Sequence, residues 1–206
     1  MVLQRLPPAT VTWLKYLIVL ACAVHTAYLL YGLFVGSLGV NPIETLTHTT
    51  GEWALYWLLA SLAVTPLRRL LHWNWLIRLR RVMGLCCFYY ALLHFFVYLV
   101  FDHLFDWVGI WEDIVERPYI TVGFGAFFIL LPLAITSVDS MQRRLGRYWI
   151  RLHQLVYPAA IMVIIHYWWL VKSDILWPLV YGIILSLLFV VRVYFFLRKR
   201  MSMIVA

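Results

Sequence analysis

Six apolar runs, each close to 20 residues long, admit only one environment for this chain. They cover about residues 11–35, 51–67, 82–101, 119–138, 152–171 and 177–197. An α-helix rises about 1.5 Å per residue, so about 20 apolar residues cross a hydrocarbon layer about 30 Å thick. Lipid offers no partner to a free amide or carbonyl, and a helix satisfies both internally. The expected fold is an all-α membrane protein, a single domain over residues 1–206 with six transmembrane helices in one bundle. Composition closes off the aqueous alternative. Hydrophobic residues make up 65% of the chain and charged residues 13%, against about 45–50% and about 25% in a soluble domain. No single core can hide that excess. The polar connections are short, so a large catalytic unit is expected on another polypeptide. The run that follows Lys15 passes Cys22 in a near-match to a lipoprotein signal. It continues to Val35, too long for a signal segment, and reads as an uncleaved first span.

Charge orients the spans. The cations Arg68, Arg69, Arg78, Arg80 and Arg81 fall between spans two and three, Arg143, Arg144, Arg147 and Arg151 between four and five, and Arg198, Lys199 and Arg200 after six. With Arg5, Lys15 and Arg192 they put 15 of 17 basic residues on one side, leaving Arg117 and Lys172 opposite. Of the acidic residues only Asp139 joins the basic side. Excess Lys and Arg mark the cytoplasmic face, so both termini are expected inside. The net charge of +8 is then a matter of topology and anionic lipid, with nucleic acid excluded as a partner. Pro66 closes the second span, whereas Pro132 and Pro158 lie inside the fourth and fifth. Each should kink its helix unless a neighbour satisfies the carbonyl it frees. Cys22, Cys86 and Cys87 lie in apolar runs without a C-x-x-C pattern and read as small hydrophobes. No internal repeat is evident.

Histidine is the ionisable residue that the span interiors do contain. His25 lies in span one, His94 in three, and His153 and His166 in five. Imidazole ligates haem iron through one nitrogen while a hydrogen bond orients the other. Spans three and five enter from the same side. His94 then lies ~13 residues deep, or ~20 Å, and His166 ~15 residues deep, or ~22 Å. Equal depth on two helices is what a bis-histidine haem requires. His153 stands ~20 Å below His166 and about 140° around an ideal helix, a mismatch that a kink at Pro158 would reduce. Its level on span three is occupied by Arg81, so a second haem there needs another ligand, such as His72, or an open position. His25 reads as a packing residue, and His48 and His103 as solvated outside the membrane, His48 within reach of a haem propionate. The clusters Tyr89-Tyr90 and Tyr167-Trp168-Trp169 read as interface belts or lipid-facing surface.

Several stretches resemble the MsrQ (YedZ) family: His48-Thr49-Thr50-Gly51, Thr65-Pro66-Leu67, Arg80-Arg81-Val82-Met83-Gly84-Leu85 with Leu93-His94, Arg117-Pro118-Tyr119-Ile120-Thr121, and Gln142-Arg143-Arg144-Leu145-Gly146. Trp149-x-x-Leu152-His153, running through Tyr157 to Ile165-His166-Tyr167, is the most telling. The resemblance covers nearly the whole chain in order. It implies a ferric-reductase-like haem-binding membrane subunit of a bacterial inner-membrane methionine-sulfoxide reductase system, passing electrons to the periplasmic molybdenum-cofactor enzyme MsrP. It implies the quinone pool or a cytosolic flavin reductase as donor, one or two haem b groups, and an association with FMN. The family's haem histidines fall on His94, His153 and His166; the wider oxidase group has two histidines on span three, where this chain has one. Such a chain is an electron-transfer subunit rather than the catalytic one. It lacks a Gly-rich phosphate loop, so NAD(P)H oxidation is expected on another protein. The rival expectations are a self-sufficient cytochrome b acting as a quinol-linked or metal reductase, and a non-redox anchor whose histidines only pack.

Overall fold

The computed structural model describes residues 6–171 and 175–205; Arg5 and Lys172, which enter the charge argument, and the acidic Asp174 lie outside them. The described residues form helices α1 (Pro8–Val35), α2 (Pro42–Leu71), α3 (Arg80–Val97), α4 (Trp107–Glu116), α5 (Pro118–Ile135), α6 (Asp139–Leu145), α7 (Arg147–His153), α8 (Val156–Leu170) and α9 (Leu176–Val205). A 3-10 turn, Asn74–Arg78, precedes α3, and a π turn, Tyr98–Asp102, prolongs it. Six stretches are long and apolar enough to cross a membrane: Pro8–Val35, Pro42–Leu71, Arg80–Asp102, Pro118–Ile135, Arg147–Leu170 and Leu176–Arg198. The six expected spans are therefore present.

Local chemistry sets their ends. α1 stops at Gly36, whose φ of 71° returns its amide to the Gly32 carbonyl. α2 starts nine residues before its apolar run, because the Asn41 side chain accepts from the Glu44 amide and Pro42 occupies the first turn. Glu44 and His48 are thus helical residues, not loop residues. The stretch around residues 102–116 carries α4, nucleated by Asp106, which accepts from the Val108 amide.

The two prolines met along α2 and the fifth span act differently. Pro158 leaves the Gln154 carbonyl without its usual i+4 donor. That carbonyl takes the Tyr157 amide instead, and the span breaks between α7 and α8. Pro66 frees the Leu62 carbonyl in the same way, yet α2 runs on to Leu71, because the Arg192 guanidinium of α9 donates to that carbonyl.

Two hairpins, α2 with α3 and α5 with α8, are the most closely packed pairs in the bundle. Their shared core joins Leu55, Leu58, Leu59 and Leu62 to Cys87, Leu130, Ala159, Ala160 and Leu185. The small side chains at Ala159 and Ala160 allow close helix approach. α1 packs on α3 through Cys22, Cys86 and Tyr90. Tyr90 is fully buried, against the expectation of an interface belt, because it points at α1 and not at lipid. Tyr89, Trp168 and Trp169 do lie on the outer surface, while Tyr167 turns inward.

Candidate functional site

The two hairpins do not close on each other completely. Between them lies a cavity of about 580 Å³, walled by Leu55 and Leu58 of α2, Cys87 and Ala91 of α3, Phe124, Phe127 and Leu130 of α5, and Val163 of α8. His94 and His166 enter it from opposite hairpins, with ring centroids 6.2 Å apart and planes at 81°. The equal depth counted from the sequence thus corresponds to actual proximity.

Each ring is held in the same way. His94 Nδ1 lies 2.9 Å from the Thr47 carbonyl, and His166 Nδ1 lies 2.7 Å from the Tyr119 carbonyl. A carbonyl only accepts, so both Nδ1 atoms donate. In a neutral imidazole this leaves the lone pair on Nε2, the nitrogen free to bind a metal. Each ring also lies against a glycine. A Cβ on Gly51 would come 3.2 Å from His94 Cε1 and Nδ1, and one on Gly123 would come 2.7 Å from His166 Nδ1. The acceptor is in both cases the residue four before the glycine, one turn along the same helix.

This arrangement is a repeat. His166, Gly123 and Tyr119 each lie 72 residues after His94, Gly51 and Thr47. α2–α3 and α5–α8 are therefore two copies of one hairpin, each supplying a carbonyl, a glycine notch and an imidazole. The sequence hides it because at most other positions any apolar residue suits the lipid or the core. Thr47, Gly51, Tyr119 and Gly123 are the site residues that sequence reasoning missed, and the constant offset was the available signal.

The donor set fits haem. Two metal–nitrogen bonds of about 2 Å and two ring radii of about 1.1 Å place opposed imidazole centroids ~6 Å apart, the spacing observed. Among the described residues no group of three His, Cys, Asp or Glu could hold a bare metal ion. Two imidazoles alone would leave an iron ion short of donors, and the macrocycle of a haem would supply the rest. The walls suit one: apolar in the middle, polar at the mouth. There His48, Glu52, Asp102, His103, Asp113 and Arg117 line the opening.

His103 is not solvated as expected. Its Nε2 lies 3.0 Å from Asp113 Oδ2, and Asp113 also pairs with Arg117 Nε at 3.2 Å. The Tyr98 hydroxyl reaches the same carboxylate at 3.5 Å. With side-chain exposures of 17% and 13%, His103 and Asp113 form a half-buried link between α4 and the end of α3.

His153 stands apart from the pair. Thr136 donates its hydroxyl proton to the Pro132 carbonyl at 2.6 Å, so its oxygen accepts from His153 Nε2 at 3.1 Å. Trp149 stacks on the His153 ring at 4.0 Å and donates to the Thr136 carbonyl. The imidazole is thereby tied to the end of α5, with its lone pair on Nδ1. His72 caps the end of α2 with φ 59°. His25 bonds the Tyr90 hydroxyl at 2.9 Å and stacks on Trp53, a packing role as expected.

Residues 50–164 match the family described as the ferric reductase like transmembrane component. Among curated relatives, the protein-methionine-sulfoxide reductase heme-binding subunit MsrQ of Herminiimonas arsenicoxydans is 48% identical over 196 residues, 94% of this chain and 90% of the relative. The subunit of the same name from Rhodospirillum rubrum is 51% identical over 168 residues, 81% of each chain. That from Xanthomonas campestris pv. campestris is 51% identical over 166 residues, 81% of this chain and 74% of the relative. No solved structure matches the chain.

Proposed function

This chain belongs to the ferric-reductase-like transmembrane family, and from that premise we propose that it is the haem b electron-transfer subunit of a methionine-sulfoxide reductase system. His94 and His166 would hold the haem iron, each through the Nε2 that its Nδ1 hydrogen bond leaves free. The observation that carries this reading is the matched pair of imidazoles, 6.2 Å apart with each Nδ1 donating to a backbone carbonyl. When bound, the haem supplies one-electron exchange at its iron. The chain's own part is to hold the rings. The Thr47 and Tyr119 carbonyls fix tautomer and orientation, Gly51 and Gly123 clear the space, and Phe95, Phe124 and Phe127 line the approach and exclude water. Substrate need not bind here, so the methionine-sulfoxide chemistry belongs to MsrP, the periplasmic partner.

Direction follows from the two ends of the bundle. The end bearing Arg68, Arg69, Arg80 and Arg81 faces the cytoplasm of a bacterial inner membrane. The quinone pool, or a cytosolic flavin reductase with FMN, delivers electrons from the membrane or that side. Arg81 is already paired with Asp139 at 2.5 Å, so Arg78 and Arg80 are the better contacts for an acidic or phosphorylated donor. The cavity mouth faces the periplasm and MsrP. His153 is the candidate ligand for a second haem at the basic end, through Nδ1 or by displacing Thr136.

The test is the reduced-minus-oxidised visible spectrum of the detergent-purified chain, with haem counted per polypeptide. Sharp low-spin b-type bands are expected, lost in His94→Ala and His166→Ala together with electron delivery to MsrP. His153→Ala keeps them and removes only a second equivalent. A stable, haem-free variant that still reduces MsrP at the normal rate would overturn the reading.

A further inference from the structure

Arg192 is a cation inside the last membrane-spanning stretch, Leu176–Arg198, and it has no acidic partner within ion-pair distance among the described residues. Intramembrane arginines are costly and rare, and those near a helix end normally extend toward water. This one turns inward. One terminal nitrogen donates to the Leu62 carbonyl of α2, and the other donates to the Tyr157 hydroxyl of α8 at 2.9 Å. The guanidinium lies 5.3 Å over the Tyr157 ring. Leu62 is fully buried. Its carbonyl is the one that Pro66, four residues on, leaves without a helical donor, in a place that water does not reach.

We infer that Arg192 is a positioning residue: it replaces the amide that Pro66 lacks and thereby fixes the cavity walls. α2 and α8 stand on opposite sides of the cavity, in different hairpins, and α9 packs on both. α2 carries the Thr47 carbonyl and the Gly51 notch, and α8 carries His166. Holding Leu62 and Tyr157 with one planar, forked side chain ties the two hairpins together beneath the imidazoles and sets the gap between them. A guanidinium suits this task because its donors diverge in one plane, whereas an ammonium is a single point of attachment. The consequence for cofactor retention rests on the haem reading above; the bond itself does not.

The experiment compares wild type, R192L, R192K, P66A and P66A/R192L, each purified in detergent. The thermal midpoint of the haem-free chain and the haem bound per chain after reconstitution are both measured. R192L is expected to lower the midpoint by several degrees and to reduce bound haem several-fold. P66A restores an amide to the Leu62 carbonyl, so P66A/R192L should recover most of both losses. R192K keeps the charge but should recover less than the double variant. Should R192L fail to fold, recovery of folded protein in P66A/R192L supports the inference equally. An R192L indistinguishable from wild type would overturn it, as would a double variant no better than R192L while P66A alone is stable. Wild type that binds no haem would sink the haem reading, while the midpoint cycle would still decide the role of Arg192.

Discussion

A methyl group added at either glycine tests the site at its smallest scale. At Gly123 the new carbon would stand 2.7 Å from His166 Nδ1, closer than real contacts allow, and at Gly51 3.2 Å from His94. Both glycines are helical, so alanine would otherwise strengthen the helix by about 1 kcal/mol. Gly123→Ala is therefore expected to cut haem per chain several-fold without loss of helix content by circular dichroism, and Gly51→Ala to cut it less. The 81° between the imidazole planes predicts a strongly anisotropic low-spin ferric signal in electron paramagnetic resonance; a rhombic signal of the parallel-plane kind would mean that the rings turn when haem binds. The histidines were legible in the sequence because depth can be counted from a charge-marked boundary at a fixed rise per residue. Their supports were not: a backbone carbonyl has no letter of its own, and a glycine's meaning depends on what faces it. Arg192 was hidden by its neighbours Arg198, Lys199 and Arg200, which made it look like one more flanking cation.

Apolar length made the spans legible as elements, and their ends were misjudged wherever a side chain did the work. α2 begins at an asparagine cap, outside its apolar run. α4 leaves no mark in the apolar pattern, because its ten residues are too few and too mixed to register as a span. Its place in the fold depends on Asp113, which holds His103 and Arg117. Asp113→Asn removes the anion from this link. Arg117 is half exposed and stays hydrated, so the loss is discounted to about 1–2 kcal/mol. That corresponds to roughly a tenfold rise in local opening, to be read as faster amide hydrogen exchange across residues 104–117 with α3 and α5 unchanged. Exchange that accelerates across the whole bundle would instead make Asp113 a global support.

The arrangement of the whole molecule was predicted from charge alone, and the side on which each loop lies can be measured. Cys22, Cys86 and Cys87 are buried within the bundle, so native background labelling should be low. A cysteine introduced at Gly146 or Asn74 should resist an impermeant maleimide added to intact cells, while one at Val40 or Leu104 should react. The reverse pattern would invert the proposed direction of electron flow.

The duplicated hairpin bears on that direction. α2 and α5 run the same way through the bundle, as do α3 and α8, so the two copies are related by rotation about an axis along the spans. Rotation of this kind leaves the two imidazoles equivalent: in the proposed role neither is an entrance and neither an exit. The proposed vectorial transfer cannot then be encoded in the imidazole pair. It must come from what rotation leaves unlike, the carboxylate-lined mouth at one pole and the arginine-rich pole at the other, as a current is set by the terminals of a circuit and not by the symmetry of its wire.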